Sequence, residues 1–73
     1  MTDFDMAPVG ARIKELRVEA GLTQKQLADI IGGASNTVTQ YEKGTSQMSL
    51  GVLVSLAKFF QVSTDYILCM TDY

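Results

Sequence analysis

Residues 23–44, TQKQLADIIGGASNTVTQYEKG, hold two short helical patterns with only three residues left to join them. Thr23 with Gln26 three positions later is a capping box, in which each residue's side chain bonds the other's backbone, so a helix opens there. Leu27, Ala28 and Ile31 give that helix one apolar face. Gly32 can take the left-handed conformation that ends it. The pattern restarts near Ala34 or Ser35. At ~100° per residue, Ala34, Val38 and Tyr41 then share one face, and Ser35, Asn36, Thr39, Gln40 and Lys43 share the opposite one. Thr37 and Glu42 sit on the borders. A turn of Gly32 to Ala34 does not easily return a helix antiparallel to its predecessor, and it suits two helices that cross steeply.

Helical spacing continues on both sides. Val9, Ile13, Leu16 and Ala20 recur at that period, with Pro8 placed for a first turn and Gly21 for a stop. Ser49 can cap a fourth helix with Leu50, Leu53, Leu56, Ala57 and Phe60 inward, and Ser63 a fifth, short one around TDYILC. Val38, Val52, Val54 and Val62 are β-branched but follow the helical period. The expectation is an all-α domain of five short helices, and 73 residues make one domain of limited stability.

The residue inventory excludes several kinds of chemistry. One cysteine and no histidine rule out a disulfide within the chain, a Cys/His zinc site and a Ser–His or Cys–His nucleophile. No phosphate-cradling glycine motif occurs, so no enzyme activity and no cofactor are expected. Cys69 lies in an apolar tail and reads as packed rather than reactive. The acidic start MTDFDMAP does not read as a signal peptide, and no apolar run approaches a membrane span. A cytoplasmic protein is the expectation.

A net charge of −2 and a pI near 4.7 argue against a nucleic-acid partner. The distribution softens this. All six basic residues lie between Arg12 and Lys58, with only four of the eight acids, which leaves that span at +2. The outer face of the third helix is almost uncharged and is built from Ser, Asn, Thr and Gln. Most of these are poorer helix formers than the Glu and Lys that suit a merely solvated face. They are also side chains that read base edges in a duplex major groove. An Asn or Gln amide can bond adenine N6 and N7 together, and a Thr methyl can touch the thymine methyl.

TQKQLADIIGGASNTVTQYEKG resembles the helix-turn-helix of the Cro/cI-type family of phage and bacterial repressors. Gln24, Leu27, Ala28, Gly32, Val38, Tyr41, Glu42 and Gly44 carry the resemblance. RIKELRVEAGLTQKQLA is similar to that family's first helix and its entry into the second, and MSLGVLVSLAKFFQVSTDYIL to its last two helices. Coverage runs from Val9 to Leu68. The resemblance implies a lambda-repressor-like domain, with the helix-turn-helix at about 23–43, that binds double-stranded DNA to regulate transcription. It implies that Ser35, Asn36, Thr39 and Gln40 read bases, and that Gln24 bonds a phosphate and braces the recognition helix. Lys25, Thr37, Lys43, Thr45 and Ser46 are further phosphate candidates. Arg17 and Glu42 match a structural ion pair that ties the first helix to the end of the third. Three departures stand out: Gly33 in the turn, Ala34 where relatives often carry a Ser or Thr cap, and no Arg on the recognition helix. Ala34 leaves the cap to Ser35, which would then be less free to read bases.

One monomer reaches only a few base pairs, so a two-fold dimer on a near-palindrome is expected, with half-sites ~34 Å apart. Phe59, Tyr66, Leu68, Met70 and Tyr73 make the C-terminal segment more apolar than a small core requires. Phe59, Tyr66 and Leu68 are the candidate dimer contacts. The competing reading is a protein-interaction module that keeps the fold without binding DNA, which the acidic pI favours.

Overall fold

Side-chain caps decide where most of the helices begin. In the computed structural model, which describes residues 4–72, the chain forms α1 (Ala7–Glu19), α2 (Gln24–Ile31), α3 (Ser35–Lys43), α4 (Leu50–Phe60) and α5 (Thr64–Ile67). No strand occurs among the described residues. Met1, Thr2 and Asp3 of the acidic start, and Tyr73 of the apolar tail, lie outside them. The Gln26 backbone N–H donates to Thr23 Oγ1 at 3.1 Å, and the Thr23 N–H donates to Gln26 Oε1 at 2.8 Å, which completes the capping box. Ser49 Oγ accepts from the Val52 N–H at 3.2 Å and Ser63 Oγ from the Tyr66 N–H at 3.0 Å. Each such cap contributes ~1 kcal/mol.

α3 begins differently, and here the expectation for Ser35 is corrected. Ala34 is the N-cap, with extended backbone (φ −99°, ψ 156°) and no side-chain bond. Ser35 is already the first helical residue. Capping requires the extended backbone that Ala34 has, so Ser35 does not cap and its hydroxyl is not tied to the helix start.

The core is formed by Met6, Val9, Ile13, Leu16, Leu27, Ala28, Val38, Tyr41, Leu53, Leu56, Ala57 and Ile67. α1 and α3 cross at Gly10. A Cβ there would lie 2.2 Å from the Tyr41 carbonyl oxygen and 2.7 Å from that of Glu42, so backbone meets backbone at the crossing. Three other expectations change. Leu50 is 80% exposed rather than inward, because the core stripe of α4 starts one turn later at Leu53. Ala20 and Ala34 are exposed, since each lies at a helix end rather than in the packed middle. α5 stops at Ile67, and Cys69 is exposed with φ at 61°. Its thiol donates to the Pro8 carbonyl at 3.4 Å, so it lies on the surface instead of packed inside.

Candidate nucleic-acid interface

Val38 and Tyr41 plant one face of α3 in the core. The opposite face presents Ser35, Asn36, Gln40 and Lys43 to solvent, with Thr37 and Thr39 half-buried at its edges. All four side chains expected to read bases therefore belong to one nine-residue helix held rigidly from behind.

A polar network supplies much of that hold. Arg17 Nε donates to Glu42 Oε2 at 2.6 Å and Nη2 to Oε1 at 3.2 Å, a two-pronged pair between α1 and α3. The third prong, Nη1, donates to the Leu22 carbonyl at 2.8 Å. The side chains are 13% and 4% exposed, so removing either partner alone would strand the other away from water. Gln24 Nε2 donates to Glu42 Oε1 at 3.0 Å, and Thr39 Oγ1 donates to Gln24 Oε1 at 2.6 Å. Thr39 Oγ1 also lies 3.1 Å from its other acceptor, the Ser35 carbonyl. The chain of contacts runs from α1 through Glu42 to the start of α2 and back to α3. A primary amide has two N–H groups, so Gln24 retains one beyond those it uses here.

The loop after α3 folds onto the helix end. Thr45 Oγ1 donates to the Gln40 carbonyl at 3.2 Å, and Ser46 Oγ donates to Gln40 Oε1 at 3.2 Å. Both hydroxyls expected at phosphates thus sit against Gln40. Lys25 pairs with Asp29 at 3.7 Å, but both side chains are largely exposed, and an exposed pair of this kind is weak enough to exchange for a phosphate. Lys43 lies exposed in the last turn of α3. Thr37 stands beside the turn, its Cβ 4.0 Å from where a Gly33 Cβ would be.

The three candidate dimer residues are not equivalent. Phe59 is 43% exposed and meets the Phe60 ring edge-on at 5.0 Å. Leu68 is partly buried against the core. Tyr66 is half-buried beneath Arg12, whose guanidinium carbon lies 3.9 Å from the ring centroid. Arg12 Nη1 also donates to the Tyr66 carbonyl at 2.8 Å, which ties α1 to α5. Sequence reasoning missed this clamp, because nothing in the spacing of Arg12 and Tyr66 signals a contact over 54 positions. It expected Gln24 to brace α3 but did not name Thr39 as its partner, which follows only once the crossing of α2 and α3 is known. An apolar groove lined by Phe4, Met6, Met48, Leu50, Leu53 and Leu68 is a third feature that no motif announced.

The model of the helix-turn-helix family matches residues 13–67. The chain is 37% identical over 60 residues to the HTH-type transcriptional regulator ImmR of Bacillus subtilis, which is 82% of this chain and 47% of that protein. It is 44% identical over 52 residues to the cryptic phage CTXphi transcriptional repressor RstR of Vibrio cholerae, 71% of this chain and 47% of that one. The chain spans about half the length of the curated relatives it matches. Among solved structures, the P22 c2 repressor in complex with synthetic operator 9T superposes with a TM-score of 0.77 at 27% identity, over 81% of this chain and 89% of that one.

Proposed function

The chain belongs to the helix-turn-helix family, and from that premise we propose that it is a sequence-specific DNA-binding transcriptional regulator acting as a repressor. The observation that carries this reading is α3: braced through Glu42, Gln24 and Arg17, it turns an uncharged face of hydrogen-bonding side chains outward. A relative named as a transcriptional repressor and a structural neighbour in complex with a synthetic operator support it.

In this reading Asn36 and Gln40 read base edges, with Ser35 and Thr39 beside them. The spare N–H of Gln24, at the positive end of α2, holds a phosphate. Lys25 and Lys43 supply charge, and Thr37, Thr45 and Ser46 border the backbone path. Two copies related by a two-fold axis, joined through the surface that includes Phe59, bind a near-palindrome in the cytoplasm.

The test is selection from random duplexes followed by titration in salt. Two lysines per protomer give four neutralised phosphates per dimer, so the logarithmic salt slope should be about −4. On the selected site, Asn36→Ala and Gln40→Ala should each weaken binding about 10-fold or more and relax the preference at particular base pairs. An equal loss on every sequence would make them positioning residues. The acidic pI of 4.7 favours the second reading, a protein-interaction module. No enriched sequence and no salt-dependent binding would support that reading instead.

A further inference from the structure

We infer that Thr39 reads DNA through its methyl group rather than its hydroxyl, and so makes the operator require a thymine at one position of each half-site. The inference rests on the DNA-binding reading above and deepens it.

The argument starts at Glu42. A carboxylate paired with a guanidinium offers only acceptors. The group of Gln24 that lies 3.0 Å from Glu42 Oε1 must therefore be its N–H, which fixes the orientation of the Gln24 amide. The amide oxygen is then the atom 2.6 Å from Thr39 Oγ1. An amide oxygen offers only acceptors, so Thr39 has to donate. A hydroxyl has a single proton, and the other acceptor in reach, the Ser35 carbonyl at 3.1 Å, also belongs to the protein. Thr39 has no proton left to donate to a base, so its oxygen could serve one only as an acceptor. Its oxygen is turned back against α2 and the preceding turn of α3. The methyl is what this half-buried side chain offers a groove. The one methyl on a major-groove edge belongs to thymine, and apolar contact is how that group is read. An ion pair at the back of the domain thereby sets which part of Thr39 faces the DNA.

The experiment uses the selected duplex, with each thymine of a half-site replaced in turn by deoxyuridine, which removes only the methyl. Burying one such group corresponds to about a fourfold change in Kd. The unaltered protein should lose about fourfold at one position. Thr39→Ser keeps the hydroxyl and its bond to Gln24 but lacks the methyl. It should bind the thymine site about fourfold more weakly than the unaltered protein and show no further loss with uracil there. Thr39→Val keeps a methyl but frees Gln24. It should retain the thymine-over-uracil preference while weakening on all sequences alike. A selected half-site without an A·T pair would overturn the inference. So would indifference of the unaltered protein to uracil at every position, or a full uracil penalty in Thr39→Ser. Failure of the DNA-binding reading looks different, because no duplex would then be enriched at all.

Discussion

Gly10 in α1 and Gly51 in α4 are both glycines inside helices, where the residue is normally a defect, and the structure uses them in opposite ways. At Gly10 an added Cβ would fall within 3 Å of two backbone carbonyl oxygens of α3. At Gly51 the nearest atom is Ser49 Oγ at 3.8 Å, an ordinary contact. The first glycine sets how closely α3 approaches its support, and the second sets nothing in the packing. The helix that must be placed accurately is locked by backbone approach, an ion pair and an amide. The α4–α5 side closes with apolar side chains, apart from the Arg12 clamp on Tyr66, and leaves Leu50, Phe59 and Met70 exposed.

The largest effect should come from breaking the lock. Gly10→Ala forces α1 and α3 apart and should cost about 3 kcal/mol, the upper end of overpacking penalties, because the obstacle is backbone. Urea denaturation followed by circular dichroism reads this as a lower midpoint. A loss below about 0.5 kcal/mol would show that the crossing yields cheaply and that the contrast with Gly51 is illusory.

Removing the charge at the same crossing comes next. Arg17→Met strands Glu42, whose carboxylate would keep only the Gln24 N–H as a partner. We expect a loss of about 2–3 kcal/mol, below the ~3–5 kcal/mol of a fully buried pair because the Arg17 side chain is 13% exposed and Gln24 still bonds Glu42. Adding Glu42→Leu removes the stranded charge and should restore part of the stability. A double variant less stable than the sum of the two single losses would mean that the network positions α3 by more than this pair.

The same contrast governs what could be read in advance. The helices were legible because their signals are local: a capping box at Thr23, serine caps at 49 and 63, and apolar spacing of 3 and 4. The resemblance supplied the partners Arg17 and Glu42, which no local rule connects. What stayed hidden depends on how helices meet. Leu50 fits the apolar stripe of α4 by angle, yet among the described residues no element covers the first turn. Ser35 looks like a cap by residue type, but the extended backbone falls one residue earlier, at Ala34. Tyr66 counts as surplus apolar surface until Arg12 is found above it.

On the looser side the expected effect lies in association. Phe59→Lys adds charge to an exposed ring that contributes little to the core, so unfolding should shift by less than about 1 kcal/mol. If that surface joins two copies, the dimer dissociation constant measured by sedimentation should rise at least about tenfold. An unchanged constant would move the interface elsewhere on the molecule. Leu68 and Tyr66 are poorer probes, because changing them also disturbs contacts within the chain.

Gly51→Ala should give the smallest change, and its sign matters more than its size. Gly51 is the second residue of α4, exposed, and free of any clash that a methyl would make. Replacing a helical glycine by alanine gains up to ~1 kcal/mol in a helix interior, by restricting the unfolded chain. Near a helix end the gain should be about half of that. A small rise in the urea midpoint would therefore set Gly51 against Gly10, since the same added methyl stabilises one helix and breaks the crossing of another. A loss instead would mean that the first turn of α4 is held by something a methyl displaces. The one atom near enough for such a contact is Ser49 Oγ, 3.8 Å from the added methyl, which caps that turn.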